Sequence, residues 1–192
     1  MTLSDNFVTA FSALVIDVGL SLPWPKPETF APDAQASPIL VWGGSGSVGQ
    51  YALQILKYYG YTNILATASP KHHEKLTLYG AKHVFDYNSE NVVLDIKDTA
   101  DSKISFVIDC IGSKEGSLAP ISKIVTSGAR VAILMPVIVV PSTPRSQNPV
   151  YSLEPESQAD WASEVDVRGV RTHHYVEVID YPDFQLTFRN DS

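Results

Sequence analysis

Cysteine is almost missing from this chain. The single Cys110 rules out an internal disulfide, and a reducing, cytoplasmic setting is the expectation that follows. Basic residues are also scarce: 14 Lys and Arg face 21 Asp and Glu, a formal net charge of -7. Nucleic acids and anionic membrane surfaces recruit basic stripes, so neither is an expected partner. No apolar run reaches the ~18 residues of a membrane span. The opening MTLSDNF has no basic segment followed by an apolar core, so no secretion signal is read there.

Several catalytic patterns are missing too. No tyrosine is followed four residues later by lysine, the spacing that short-chain dehydrogenases use for proton transfer. No Gly-Lys-Ser/Thr marks a nucleoside-triphosphate loop, and the register of Gly44-Ser45-Gly46-Ser47 is wrong for a nucleophile elbow. A catalytic zinc needs three protein ligands. Cys110 lies in an apolar strand-like run and reads as a small core residue. The pairs His72-His73 and His173-His174 are adjacent, so their side chains point apart. No metal site is expected.

What remains is ordinary globular material: 44% hydrophobic and 18% charged residues, with enough length to bury a core. Residues 4–19 carry Phe7, Ala10, Phe11, Leu14, Val15 and Val18 at helical spacing, with Ser4 or Asp5 to cap and Gly19 to stop. Five prolines between Leu22 and Pro38 then make a connector. Residues 1–37 thus form a junction helix and linker.

From Pro38 strands and helices alternate. Strands are expected at Ile39–Trp42, Ile64–Ala68, His83–Tyr87, Ser105–Ile111 and Arg130–Leu134. Helices are expected at Val48–Tyr59, His73–Tyr79, Val92–Asp98 and Leu118–Val125. Alternation of this kind predicts right-handed crossovers and a parallel sheet, and continuous apolar strands predict helices on both its faces. The fold class is therefore a doubly wound (Rossmann) α/β domain over residues 38–140. Residues 141–192 read as a Pro/Ser-rich loop, a strand at Glu164–Val170 and an extended piece at Tyr175–Ile179, with no assignment for the closing QLTFRNDS.

The stretch VWGGSGSVGQ follows the first strand and opens a helix. Gly44-Ser45-Gly46-Ser47-Val48-Gly49 fits G-x-G-x-x-G in the strand–turn–helix context that gives the pattern its meaning. Gly44 is expected to make the tight turn, Gly46 to let a pyrophosphate approach, and Gly49 to let helix and strand pack closely. The helix N-terminus adds free N–H groups and a positive dipole end. NAD-binding versions place an acid at the end of the second strand. Here that strand runs into Ala68-Ser69-Pro70-Lys71-His72-His73, with no acid before Glu74. Ser69 can donate to a 2′-phosphate and Lys71 can neutralise one, so NADP(H) is the expected cofactor. Lys71, His72 and His73 also read as ordinary solvated loop residues, and Tyr87 as an edge tyrosine or a ligand contact.

VWGGSGSVGQYALQILKYYGY, ILATASPKHHEKLTLYGAKHVFDY, FVIDCIGS and GARVAILMP together resemble the cofactor domain of the medium-chain dehydrogenase/reductase superfamily. More narrowly they are similar to its zinc-independent quinone reductase and enoyl reductase branch, including fungal trans-acting enoyl reductases. The resemblance covers about residues 4 to 140, with a fainter echo at VDVRGVRTHHY. It implies that Ser45, Gly46, Ser47 and Val48 line the diphosphate. It puts Ser69, Pro70, Lys71 and His72 around the 2′-phosphate, with Tyr87 closing over it and Lys75 assisting. Cys110, Ile111 and Met135 would lie on the nicotinamide side.

The chain also departs from that family. The family's N-terminal β-rich domain, which supplies most of the substrate pocket, is expected to be absent, and the segments after the sixth strand look shortened or replaced. Two readings stay open. One is the NADPH-binding portion of an oxidoreductase that passes hydride to an enone, enoyl thioester or quinone, its partner being that small-molecule substrate. The other is an NADP(H)-binding module, or truncated fragment, without turnover of its own. An apolar face left uncovered would favour homo-oligomers.

Overall fold

The computed structural model describes residues 2–101, 103–142 and 148–171. The expected piece at Tyr175–Ile179, the pair His173-His174 and QLTFRNDS lie outside them. The chain opens on α1 (Thr2–Ser12), which runs directly into a wider π-helical turn, Ala13–Asp17. The helix begins before the two expected caps, so Ser4 and Asp5 stand inside it.

A six-stranded parallel sheet follows. Its strands are β1 (Ile39–Trp42), β2 (Ile64–Thr67), β3 (His83–Phe85), β4 (Phe106–Asp109), β5 (Arg130–Leu134) and β8 (Asp166–Val170). Their spatial order is β3-β2-β1-β4-β5-β8. The order reverses direction at β1, leaving a crevice at the carboxyl ends of β1 and β4, where such folds bind ligands. The crossovers are α2 (Ser47–Tyr59), α3 (His73–Leu78), α4 (Val92–Thr99) and α5 (Ala119–Ile124). Short helical turns lead into α3 (Pro70–His72) and α5 (Lys114–Leu118).

Alternation along each strand explains the two covered faces. Ile39, Val41, Ile64, Ala66, Ile108 and Ala132 pack into one core with α1, α2 and the proline connector. Leu40, Trp42, Leu65, Val107, Val131 and Ile133 pack into the other, with α4 and α5. Each of the valines, leucines and isoleucines among them, fully buried, contributes ~1.5–3 kcal/mol. The expected strands are all present, with β2, β3 and β4 ending one or two residues sooner than the apolar runs do.

Two differences lie beyond Leu134. β6 (Val137–Val140) and β7 (Val150–Ser152) form an antiparallel ribbon where a loop was expected. The sheet also does not finish at residue 140. Asp166–Val170 lines up beside β5 in parallel register, from Arg130↔Asp166 to Leu134↔Val170. Among the described residues no helix is long and apolar enough to cross a membrane.

Candidate cofactor-binding site

The carboxyl edge of the sheet is stitched together strand by strand. β1 leaves the sheet through Gly43, whose φ is +80°. The tight turn therefore belongs to Gly43, a correction to the expectation for Gly44. A left-handed φ favours glycine, and a Cβ at Gly43 would lie 2.6 Å from Ile111. Gly44 is instead a packing glycine, closed in by Leu76, Ala66 and Leu53. Gly49 does what its spacing implies. A Cβ there would stand 2.6 Å from the Gly43 carbonyl oxygen and 2.8 Å from the Gly44 Cα.

Gly46 is different from all three. It is exposed, its φ is ordinary, and a Cβ would meet only the Gly43 oxygen at 3.5 Å. It stands at the N-cap of α2, and no side chain caps that end. The first N–H groups of a helix have no intrahelical acceptor, so Ser47, Val48 and Gly49 can present theirs to an anion. Ser45 and Val48 are half-buried and Ser47 is exposed, so the loop has an open lip.

Two residues missed at the sequence level hold this loop in shape. Thr67, buried at the end of β2, accepts from the Gly43 N–H through Oγ1 at 2.9 Å, and its carbonyl accepts from the Gly44 N–H at 2.9 Å. Gln50 donates from Nε2 to the Ser45 carbonyl at 2.6 Å. A polar residue closing an otherwise apolar strand was the available signal for Thr67.

The β2 and β3 exits come together next. Thr67 and Phe85 are register partners, so Ser69 and Tyr87 follow their strands by two residues each. Ser69 Oγ and Tyr87 Oη are 3.3 Å apart. That bond, then one to Asn88, holds the Tyr87 phenol below its usual value, with the Lys71 charge acting in the same sense. Pro70 and Lys71 are exposed and His72 half-exposed, all on the short turn into α3. Lys75 points elsewhere, its ammonium 5.4 Å from the Tyr79 ring centroid. The Asp86 carboxylate, next to Tyr87, accepts from the Asn88 backbone N–H at 3.0 Å.

At the β4 exit Cys110 lies just past the strand and is partly exposed, not a residue of the buried strand. Burial pushes its thiol up, with the Asp109 charge adding to the effect. Ile111 is exposed but rests against Gly43, so the β4 exit touches the glycine loop. Met135 follows β5, and its thioether packs on the backbone of Gly169. Behind this rim Asp109 is fully buried, and burial pushes its carboxyl up to about 6. The edge as a whole offers the free N–H groups at the start of α2, one half-buried and one exposed hydroxyl beside a lysine, and an apolar turn.

A family model described as zinc-binding dehydrogenase matches residues 47–139. This is a cofactor-binding domain of the medium-chain dehydrogenase/reductase superfamily. The family description names dehydrogenases, which are oxidoreductases. The chain is 37% identical over 115 residues to the uncharacterized protein YLR460C of Saccharomyces cerevisiae, covering 59% of this chain and 29% of that one. It is 32% identical over 135 residues to the trans-enoyl reductase eqxC of Fusarium heterosporum, covering 70% and 36%. In fold it is similar to the mitochondrial 2-enoyl thioester reductase Etr1p/Etr2p heterodimer of Candida tropicalis. That likeness has a TM-score of 0.62 at 16% identity and covers 96% of this chain and 46% of that one. The chain thus spans about a third of the length of the curated relatives it matches. Among the described residues of this medium-chain domain, no three His, Cys, Asp or Glu side chains converge on a metal position.

Proposed function

We propose that this domain holds NADP(H) and presents it for hydride transfer to an enone, an enoyl thioester or a quinone. The Ser69–Tyr87 hydroxyl pair carries the choice of cofactor. It stands at the β2 exit beside Lys71, where a carboxylate would repel a 2′-phosphate. The N–H groups after Gly46 take the diphosphate, with Ser45, Ser47 and Val48 along the lip. Ser69, Pro70, Lys71, His72 and Tyr87 surround the 2′-phosphate, and Lys75 reaches it by turning away from Tyr79. Cys110, Ile111 and Met135 face the nicotinamide end.

The bound cofactor supplies the hydride, and the protein supplies position and electrostatics. Gln50 and Thr67 keep the cradle in place before the ligand arrives. Burial, and then the Asp109 charge, raise the Cys110 thiol, which favours its protonated, apolar form at the nicotinamide end. Titration of the folded chain with NADPH and NADH, followed by nicotinamide fluorescence, tests the reading. Saturable binding with NADPH preferred is expected; no binding at millimolar cofactor removes it.

The nicotinamide end carries Cys110, Ile111 and Met135 and no acid or base among them, which favours a second reading, a nucleotide-binding module without turnover of its own. It predicts NADPH binding with no oxidation across a panel of enones, quinones and aldehydes. Clear turnover by this chain sinks that alternative.

A further inference from the structure

Asp109 is an unusual closing residue for an apolar strand. It stands on the last rung of β4, in register with Trp42 of β1 and Ile133 of β5. A carboxylate with no exposure needs every lone pair answered. Asp109 Oδ1 accepts from the Ile111 N–H at 2.9 Å. Oδ2 accepts from the Gly112 N–H at 3.3 Å and from the Ser117 hydroxyl at 2.6 Å. Ser117 is itself fully buried and accepts from the Ser113 N–H at 2.9 Å. All of Asp109's partners are donors, and only a group that accepts with both oxygens satisfies them together.

These bonds converge on one short turn. Gly112 sits at φ +60°, and a Cβ there would collide with the Leu134 carbonyl oxygen, so the turn is pressed against the β5 exit. The Gly112 carbonyl accepts from the Ile138 N–H at 2.7 Å, which ties it to β6 as well. Trp42 donates from Nε1 to the Gly116 carbonyl at 3.2 Å and holds the following helical turn from the β1 side. The outer face of the same turn carries Cys110 and Ile111.

We infer that Asp109 and Ser117 are a positioning pair that fixes the Cys110–Gly112 turn as the wall against which the nicotinamide end lies, without touching the cofactor. The inference rests on the proposed NADP(H) reading. It separates the two ends of the ligand. The adenosine end is held by β2 and β3, which Asp109 and Ser117 do not contact, so loosening the turn weakens only the nicotinamide end.

The test uses the whole chain and two probes: 2′,5′-ADP, which carries the adenosine end alone, by calorimetry, and NADPH, by nicotinamide emission. In Ser117→Ala and Asp109→Asn, 2′,5′-ADP affinity is expected to stay within about twofold of the parent. NADPH is expected to weaken about tenfold, with the change in emission on binding reduced. Ser117→Cys, whose thiol is a weaker donor of similar size, is expected to fall between. It also serves as the folded comparison if the alanine variant fails to melt cooperatively. Equal weakening of both probes overturns the positioning role, and so does unchanged NADPH binding and emission. If the parent chain binds neither probe, the nucleotide reading falls and this inference falls with it. If the parent binds both and the variants show no split, the positioning pair alone is wrong.

Discussion

Ser69 with Tyr87 and Asp109 with Ser117 are both hydroxyl-centred pairs on the same edge of the sheet, yet they are built in opposite ways. The first joins two exposed or half-exposed residues across 3.3 Å, with a lysine charge nearby. Water and ligand oxygens compete freely for such a bond, so it can be remade around an incoming anion. The second is 2.6 Å long, charge-assisted and closed to solvent. Its partners cannot be exchanged without opening the core. A reading surface and a fixed wall need these two different chemistries, and the domain keeps them on opposite sides of the glycine loop.

The loop between them gives the strongest way to break the comparison. Gly49→Ala puts a methyl against backbone on both sides, and backbone has no rotamer with which to yield. A net loss of about 2–4 kcal/mol is expected from urea denaturation, despite alanine's better helix propensity. Gly46→Ala faces open space and is expected to cost less than about 1 kcal/mol while lowering NADPH affinity at least tenfold. Equal stability losses at the two positions would show that Gly46 is also a packing glycine.

Next in size is a pH effect confined to the buried pair. The Asp109 carboxyl sits at about 6 in the fold against an ordinary 3.8. The folded chain therefore holds that proton more tightly than the unfolded chain. The resulting stabilisation is full below about pH 4 and is lost as pH rises through 6. Between pH 7 and pH 4 it amounts to on the order of 2 kcal/mol. Asp17, raised to about 6 by burial and partly held down by Arg168, contributes in the same sense. Urea midpoints of the parent and Asp109→Asn across that range isolate the Asp109 share. Parallel profiles would show that Asp109 titrates normally.

The smallest expected change sharpens the exposed side. Lys71→Ala is expected to weaken NADPH about tenfold and NADH less than twofold. Equal losses for both would mean that the lysine does not read the 2′-phosphate.

How far the sequence foretold these features depended on range. The glycine loop was legible because its strand, turn and helix are contiguous. Which glycine makes the turn was not, since Gly43 and Gly44 are equally able to take a left-handed φ. The left-handed φ falls at Gly43, which packs against Ile111 far along the chain. Ser69 and Tyr87 were legible one by one, each following its own strand; that their hydroxyls meet was not. Asp109 and Ser117 were not, because their eight-residue spacing has meaning only once the π-helical turn at Lys114–Leu118 folds the serine back under the strand. The strand at Asp166–Val170 was visible as alternation, but a ribbon intervenes between it and β5, and no local signal names its partner.

The contact of Ile111 with Gly43 also ties the chain's history at one position to its history at another. Any side chain at residue 43 would need the same space as the isoleucine, 2.6 Å away. Drift at 43 thus requires that the isoleucine swing aside or that residue 111 become smaller. Even then the positive φ penalises the newcomer. A smaller residue 111 with glycine kept at 43 opens a gap between the loop and the turn. Of the two, residue 111 is free to change first, so natural variation in the size of this crevice should begin there.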